Sequence, residues 1–183
     1  VVVLHDTPMS WLRLSDVVCI NRYYGWYMQT GQPTEGAGKL GAELDAIYAE
    51  LGRPMIVAEF GADTLPGHHA VPPEMFSEEY QVEFLRGYLD VADARPFVVG
   101  MHVWNFADFK TAQGVMRPGG MNHKGVFTRD RRPKMAAPSR VPSAIWPIAP
   151  MIATTWAARR GVTLKRTWLA TRCWGGWSST LLT

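Results

Sequence analysis

Met55-Ile56-Val57-Ala58-Glu59-Phe60-Gly61-Ala62-Asp63 is the stretch on which the reading of this chain turns. Four apolar residues without polar alternation suit a strand buried on both faces, and the run closes on a carboxylate, a glycine and a second carboxylate. Runs of the same kind stand on either side of it: Val17-Val18-Cys19-Ile20, and Phe97-Val98-Val99 continuing through Met101 and Val103. Between the first two strands, Leu40, Leu44, Ile47, Tyr48 and Leu51 fall on one helical face and Gly52 ends the pattern. Between the second and third, Ser77 caps a predicted helix with Glu78 and Glu79 in its first turn. Val82, Leu85, Leu89 and Ala92 form its buried stripe, and Arg95-Pro96 stops it. Val1-Val2-Val3-Leu4 reads as the remnant of an earlier strand.

Strand, loop, helix, strand in repetition predicts parallel βαβ units, in a barrel or a doubly wound sheet. No G-x-G-x-x-G follows a strand and no G-x-x-x-x-G-K-[ST] occurs, so the nucleotide-binding version loses support. Each strand instead ends in polar and aromatic residues: Asn21-Arg22-Tyr23-Tyr24-Gly25-Trp26-Tyr27, Glu59-Phe60-Gly61-Ala62-Asp63, and Trp104-Asn105-Phe106-Ala107-Asp108-Phe109. The carboxyl ends of parallel strands are where a (β/α)8 barrel builds its active site. A carboxylate ringed by Tyr, Trp and Asn suggests a sugar site, because aromatic faces stack on pyranose C–H faces while Asn and Glu bind hydroxyls.

The chain has 183 residues, is 47% hydrophobic and 19% charged, and has a formal net charge of +3, which excludes wholesale disorder, collagen and coiled coil. Its charge is divided unevenly. All 16 acidic residues lie in residues 1–137, whereas residues 138–183 carry six bases and no acid. The first part is net negative, so the overall basic balance does not predict a nucleic-acid partner, and the interleaved run Arg129-Asp130-Arg131-Arg132-Pro133-Lys134 reads as a surface face leading into a last barrel helix. Residues 138–183, with five of the eight tryptophans and no periodicity, read as an aberrant, out-of-frame or unrelated tail. Within it, residues 141–158 are uncharged, but Pro142, Pro147 and Pro150 argue against a membrane span and no membrane partner is expected. Cys19 and Cys173 make no disulfide framework, no Cys/His spacing fits zinc, and His68-His69 reads as a solvated loop. No cofactor is implied.

Four of these segments, Asn21 to Tyr27, Ala58-Glu59-Phe60-Gly61-Ala62-Asp63-Thr64, Val103 to Phe109 and Asn122-His123-Lys124-Gly125-Val126-Phe127-Thr128-Arg129, closely resemble the β-glucuronidases of glycoside hydrolase family 2 in order and spacing, over about residues 14–137. The resemblance implies part of a (β/α)8 TIM barrel across residues 1–137, a remnant of its fifth strand followed by strands 6 to 8. It also implies retaining hydrolysis of β-D-glucuronides. Carried over by position, Glu59 corresponds to the nucleophile, an ionised carboxylate that attacks the anomeric carbon. By residue type alone, a strand-end glutamate is more often a salt-bridge partner. Tyr23 corresponds to the residue that orients the nucleophile, Asn21 and Tyr27 to neighbours of the nucleophile and sugar hydroxyls, and Trp104 to the residue beneath the sugar. Asn122 and Lys124 correspond to the Asn-x-Lys pair that reads the sugar carboxylate, with Arg117 nearby; an ammonium beside an amide supplies both charge and directed donors. Tyr24 and Trp26 are as well explained by packing.

The family's acid/base glutamate follows an asparagine, and no Asn-Glu pair occurs in this chain. The expectation is therefore a fragment carrying the nucleophile half of the site, cut from something longer, poorly folded and inactive alone. Another family 2 activity such as β-galactosidase, or a non-catalytic carbohydrate-binding role, remains open beside it. The family further implies a homo-oligomer at full length, a small-molecule glucuronide as partner and, from its bacterial members, a cytoplasmic location.

Overall fold

The computed structural model describes residues 8–137, together with the backbone of strand β1 (Val2–Val3). The tail reading for residues 138–183, including the candidate span at 141–158, lies outside the described residues. Strands β1, β2 (Val18–Asn21), β3 (Met55–Phe60) and β4 (Val98–Val103) form one sheet, parallel throughout and ordered β1-β2-β3-β4. A doubly wound sheet reverses its strand order at a switch point, whereas strands laid side by side in chain order make an arc of a barrel. The four-residue expectation at the start of the chain holds in its centre, since Val2 and Val3 pair with Cys19 and Ile20.

Helix α1 (Met9–Leu12) lies between β1 and β2, α2 (Pro33–Leu51) between β2 and β3, and α3 (Glu78–Asp93) between β3 and β4. Helix α2 starts earlier than the apolar stripe alone predicts. Pro33 takes the first helical turn, where its missing N–H is no loss, and Glu35 complements the helix dipole. Its end is the predicted one: Gly52 adopts a left-handed φ of 60°, and its N–H closes the last turn on the Tyr48 carbonyl at 2.8 Å. Helix α3 begins at the Ser77 cap, whose hydroxyl accepts the Tyr80 N–H at 3.1 Å.

The buried stripe of α3 is richer and turned slightly from the predicted one. Tyr80, Phe84, Leu85, Tyr88 and Ala92 are buried, while Val82 and Leu89 only pack against the core edge. Aromatic stacking explains the rotation, with Phe84 on Tyr88 at 4.5 Å and Tyr88 on Phe60 at 5.2 Å. These rings join Leu40 and Leu44 of α2 and Val18, Ile20, Met55, Val57 and Val98 of the sheet in one core. Strands β2 and β3 are buried on one face only, contrary to the expectation from their unbroken apolar runs. Cys19, Ile56 and Ala58 are half-buried because they project to the sheet face that α2 and α3 do not cover.

After β4 the chain folds back as a short hairpin, β5 (Phe109–Lys110) with β6 (Met121–Asn122), turned by Pro118–Gly120. The run from Arg129 to Lys134 makes turns and a bridge from Phe127 to Pro133. No helix follows among the described residues to Ala137, so the predicted last barrel helix is not formed there. Nor is the whole run a surface face, because Lys134 is buried. His69 is exposed as expected and pairs with Glu79 at 2.8 Å.

Ser77→Ala removes the cap of α3, and we expect it to lower the unfolding free energy by about 1 kcal/mol. Urea denaturation checks this as a lower midpoint at unchanged slope; an unshifted midpoint means that the first turn of α3 is held without its cap.

Candidate active site

Backbone registry brings the three strand ends together. Asn21 stands opposite Glu59 across β2 and β3, the Arg22 N–H donates to the Glu59 carbonyl at 2.9 Å, and the Trp104 N–H donates to the Phe60 carbonyl at 2.8 Å. Gly61 makes this closure possible, because a Cβ there would lie 2.0 Å from the Trp104 carbonyl oxygen. The cleft above these ends has a volume of about 370 Å³ and is lined by Tyr23, Tyr27, Glu59 and Trp104 from the strand ends. Phe109, Thr111, Arg117, Asn122 and Lys124, from the hairpin and the segment after it, complete the lining.

Seven of the eight residues picked from sequence thus share one cleft; Asn21 is the exception, and its side-chain oxygen is buried without a hydrogen-bond partner. Trp26, set aside as packing, is fully buried between Phe76 and Tyr80. Asn105 holds the loop through its own backbone, which pairs with Lys124 and Val126.

Glu59 is half-buried, and its Oε2 accepts the Tyr23 hydroxyl at 2.9 Å. Burial, and then the Glu59 charge, push the Tyr23 phenol far above its usual range, so it stays protonated and serves as a fixed donor. A single donor on one oxygen leaves the other oxygen of the carboxylate uncommitted.

The same cleft also carries a cationic wall. Lys124 and Asp63 are both fully buried and form an ion pair through Lys124 Nζ and Asp63 Oδ2. Arg117 Nη1 approaches the same oxygen at 3.4 Å, and Tyr27 Oη accepts from Lys124 Nζ at 2.9 Å and from Arg117 Nη2 at 3.1 Å. The ammonium also lies 4.7 to 5.7 Å from the ring centroids of Tyr27, Trp26 and Tyr23, whose faces favour a cation. Asn122 turns its Oδ1 to the Lys124 N–H at 3.1 Å, which leaves its amide N–H groups for another partner.

Sequence reading missed the supports of this wall. Asp63 and Asp108 are buried carboxylates, and Lys134 donates to Asp108 Oδ1 at 2.8 Å, to the Thr64 carbonyl at 2.7 Å and to the His123 carbonyl at 2.9 Å. Burial lowers the Lys134 pKa, and Asp108 opposes that shift. Gln81 on α3 ties the same loops, its amide donating to the carbonyls of Ala62, Lys124 and Gly125. Phe109 and Thr111 were also missed, since nothing in their local pattern marks them as lining. For the two aspartates a signal existed: each stands four residues after a strand-end residue already selected, Glu59 or Trp104.

Comparison with known proteins shows the family and the fold. The chain belongs to glycosyl hydrolases family 2, TIM barrel domain, whose family model matches residues 3–149. It is 51% identical over 122 residues to a β-glucuronidase of Paenibacillus borealis, covering 67% of this chain and 20% of that protein. A β-glucuronidase from Ruminococcus gnavus in complex with D-glucuronic acid superposes with a TM-score of 0.70 at 41% identity, covering 85% of this chain and 25% of that one. Bifidobacterium dentium β-glucuronidase complexed with coumarin-3-O-glucuronide gives 0.65 at 43% identity, covering 79% and 21%. The chain spans about a fifth of the length of the curated relatives it matches.

Lys134→Met leaves Asp108 buried without its cation and is expected to cost about 3–5 kcal/mol of stability. Adding Asp108→Asn, which keeps an acceptor for the Gly125 N–H, recovers most of that loss. Denaturant unfolding of the three proteins measures it, and a double variant no more stable than Lys134→Met removes the proposed pairing energy.

Proposed function

We propose that this chain supplies the nucleophile and the carboxylate-recognition wall of a retaining β-glucuronidase. The observation that carries the reading is that one cleft brings together Glu59, held by the Tyr23 hydroxyl, and the group Lys124, Arg117 and Asn122. The relatives named above, in complex with D-glucuronic acid and with coumarin-3-O-glucuronide, support the same substrate class. A β-galactosidase-like activity within the family fits less well, because a neutral sugar gives Lys124 and Arg117 no anion to meet.

In this reading the pyranose stacks on Trp104, and its carboxylate meets the cationic wall. The free oxygen of Glu59 attacks the anomeric carbon; the glycosidic C–O bond breaks, and the leaving oxygen takes a proton from a carboxylic acid. Water, deprotonated by that same residue, then attacks the anomeric carbon and releases Glu59. Tyr23 orients Glu59 throughout and remains protonated. Retention requires the second carboxyl at about 5–5.5 Å from the first. Among the described residues Glu59 is the one carboxylate lining the cleft, so the acid/base must come from outside them.

The test is turnover of a nitrophenyl β-D-glucuronide together with labelling by a 2-fluoro glucuronide. Label on Glu59 and a loss of several orders of magnitude in kcat on Glu59→Gln are expected; label on another residue overturns the assignment. Lys124→Ala should reduce glucuronide turnover far more than turnover of the matching glucoside, whereas equal losses remove its role in carboxylate recognition. Binding of D-glucuronic acid without any turnover by the protein would replace hydrolysis with a carbohydrate-binding role.

A further inference from the structure

We infer that Asp63 is the positioning residue of the carboxylate subsite, holding Lys124 and Arg117 in the geometry that makes the cleft selective for a uronic acid. This rests on the reading of the site as a glucuronide site.

Asp63 is wholly buried, and it does not line the cleft. One oxygen, Oδ1, accepts the backbone N–H of His123 at 2.8 Å and so fixes the residue between Asn122 and Lys124. The other, Oδ2, is shared by the Lys124 ammonium and, at 3.4 Å, Arg117 Nη1. A single side chain thereby sets the backbone, the ammonium and the guanidinium of the recognition wall. Counting donors shows what remains for a ligand. The ammonium has three N–H groups; Asp63 and Tyr27 take two, leaving one. Tyr27 Oη accepts from both cations with its two lone pairs, so its own hydrogen is free to donate.

The charge balance points the same way. Two cations share one carboxylate, which leaves one positive charge for one incoming carboxylate. A glucoside, with a hydroxymethyl group at that position, neither needs nor uses it. Without Asp63, the side chain of Lys124 would have to carry a buried charge among Tyr23, Trp26 and Tyr27 with no anion beside it, and it would turn away.

Asp63→Asn keeps the shape and the acceptor for His123, but it replaces the shared anion by a neutral amide. Presenting the amide oxygen to His123 puts an N–H donor against two cationic donors. We expect KM for a nitrophenyl β-D-glucuronide to rise about tenfold or more, with a much smaller change for the glucoside and in kcat for either sugar. Asp63→Glu, which keeps the anion, restores part of the difference. Because Asp63 acts through Lys124, the decisive measurement is a cycle with Lys124→Met. The double variant should show a glucuronide KM far below the product of the two single increases, because only the hold on Arg117 is still lost in the Lys124→Met background. It also removes both charges of the buried pair together, so it folds even where Asp63→Asn does not.

Equal KM increases for glucuronide and glucoside, a lower glucuronide KM in Asp63→Asn, or independent losses in the cycle overturn the inference. Wild-type hydrolysis of the glucuronide is measured first, which separates this test from that of the proposed function. Should hydrolysis be absent, calorimetric affinity for D-glucuronate against D-glucose takes the place of KM in the same cycle, and absence of glucuronate binding overturns the inference as well.

Discussion

A buried ammonium must have an anion with it, and among the described residues two are buried, Lys124 and Lys134. Stripping water from such an ion costs several kcal/mol, and a nearby carboxylate offsets that cost only in good geometry with the remaining donors satisfied. Asp63, from the loop after β3, meets Lys124, and Asp108, from the loop after β4, meets Lys134. Both lysines lie in the segment that follows the β5–β6 hairpin, so two ion pairs pin one stretch of chain across the ends of two neighbouring strands. The position of the cleft wall follows from that attachment. Gln81 reinforces it from α3, and Glu78 does so by accepting the Gly67 and Met135 N–H groups.

The same strand ends give two carboxylates opposite characters. Asp63 is saturated by cations and a backbone N–H, and serves as architecture. Glu59 meets a neutral phenol, and its other oxygen is uncommitted in the cleft. For the nucleophilic role proposed for Glu59 this difference matters, because a carboxylate committed to a tight ion pair has little electron density to offer. Burial and the adjacent negative charge keep Tyr23 protonated, so the donor that aims Glu59 cannot become a second anion beside it.

Much of this was legible in the sequence. Apolar runs of strand length located β2, β3 and β4, the Ser77 and Gly52 signals located the end points of two helices, and the strand-end clusters located Glu59, Tyr23, Tyr27 and Trp104. These are short-range facts, since periodicity, caps and turn chemistry act within a few residues. The start of α2 was less legible because its first turns carry glycine, threonine and glutamate in place of an apolar stripe. The face of α3 that is buried was set by ring stacking against Phe60, which a count of aliphatic residues does not register.

What the sequence determined by itself is the alternation of strands and helices and the clustering of polar and aromatic residues at each strand's carboxyl end. Which strands are neighbours, and which charged groups leave water, only the tertiary structure decided. Lys134 stands in a run of charges that looks like solvent-facing surface, and the place of Asp63 in a strand-end cluster does not name its partner. Their roles arise from partners 26 and 61 positions away, Asp108 and Lys124. The physical reason is that pairing of buried charges is a property of the space they share, and distance along the chain carries no record of it.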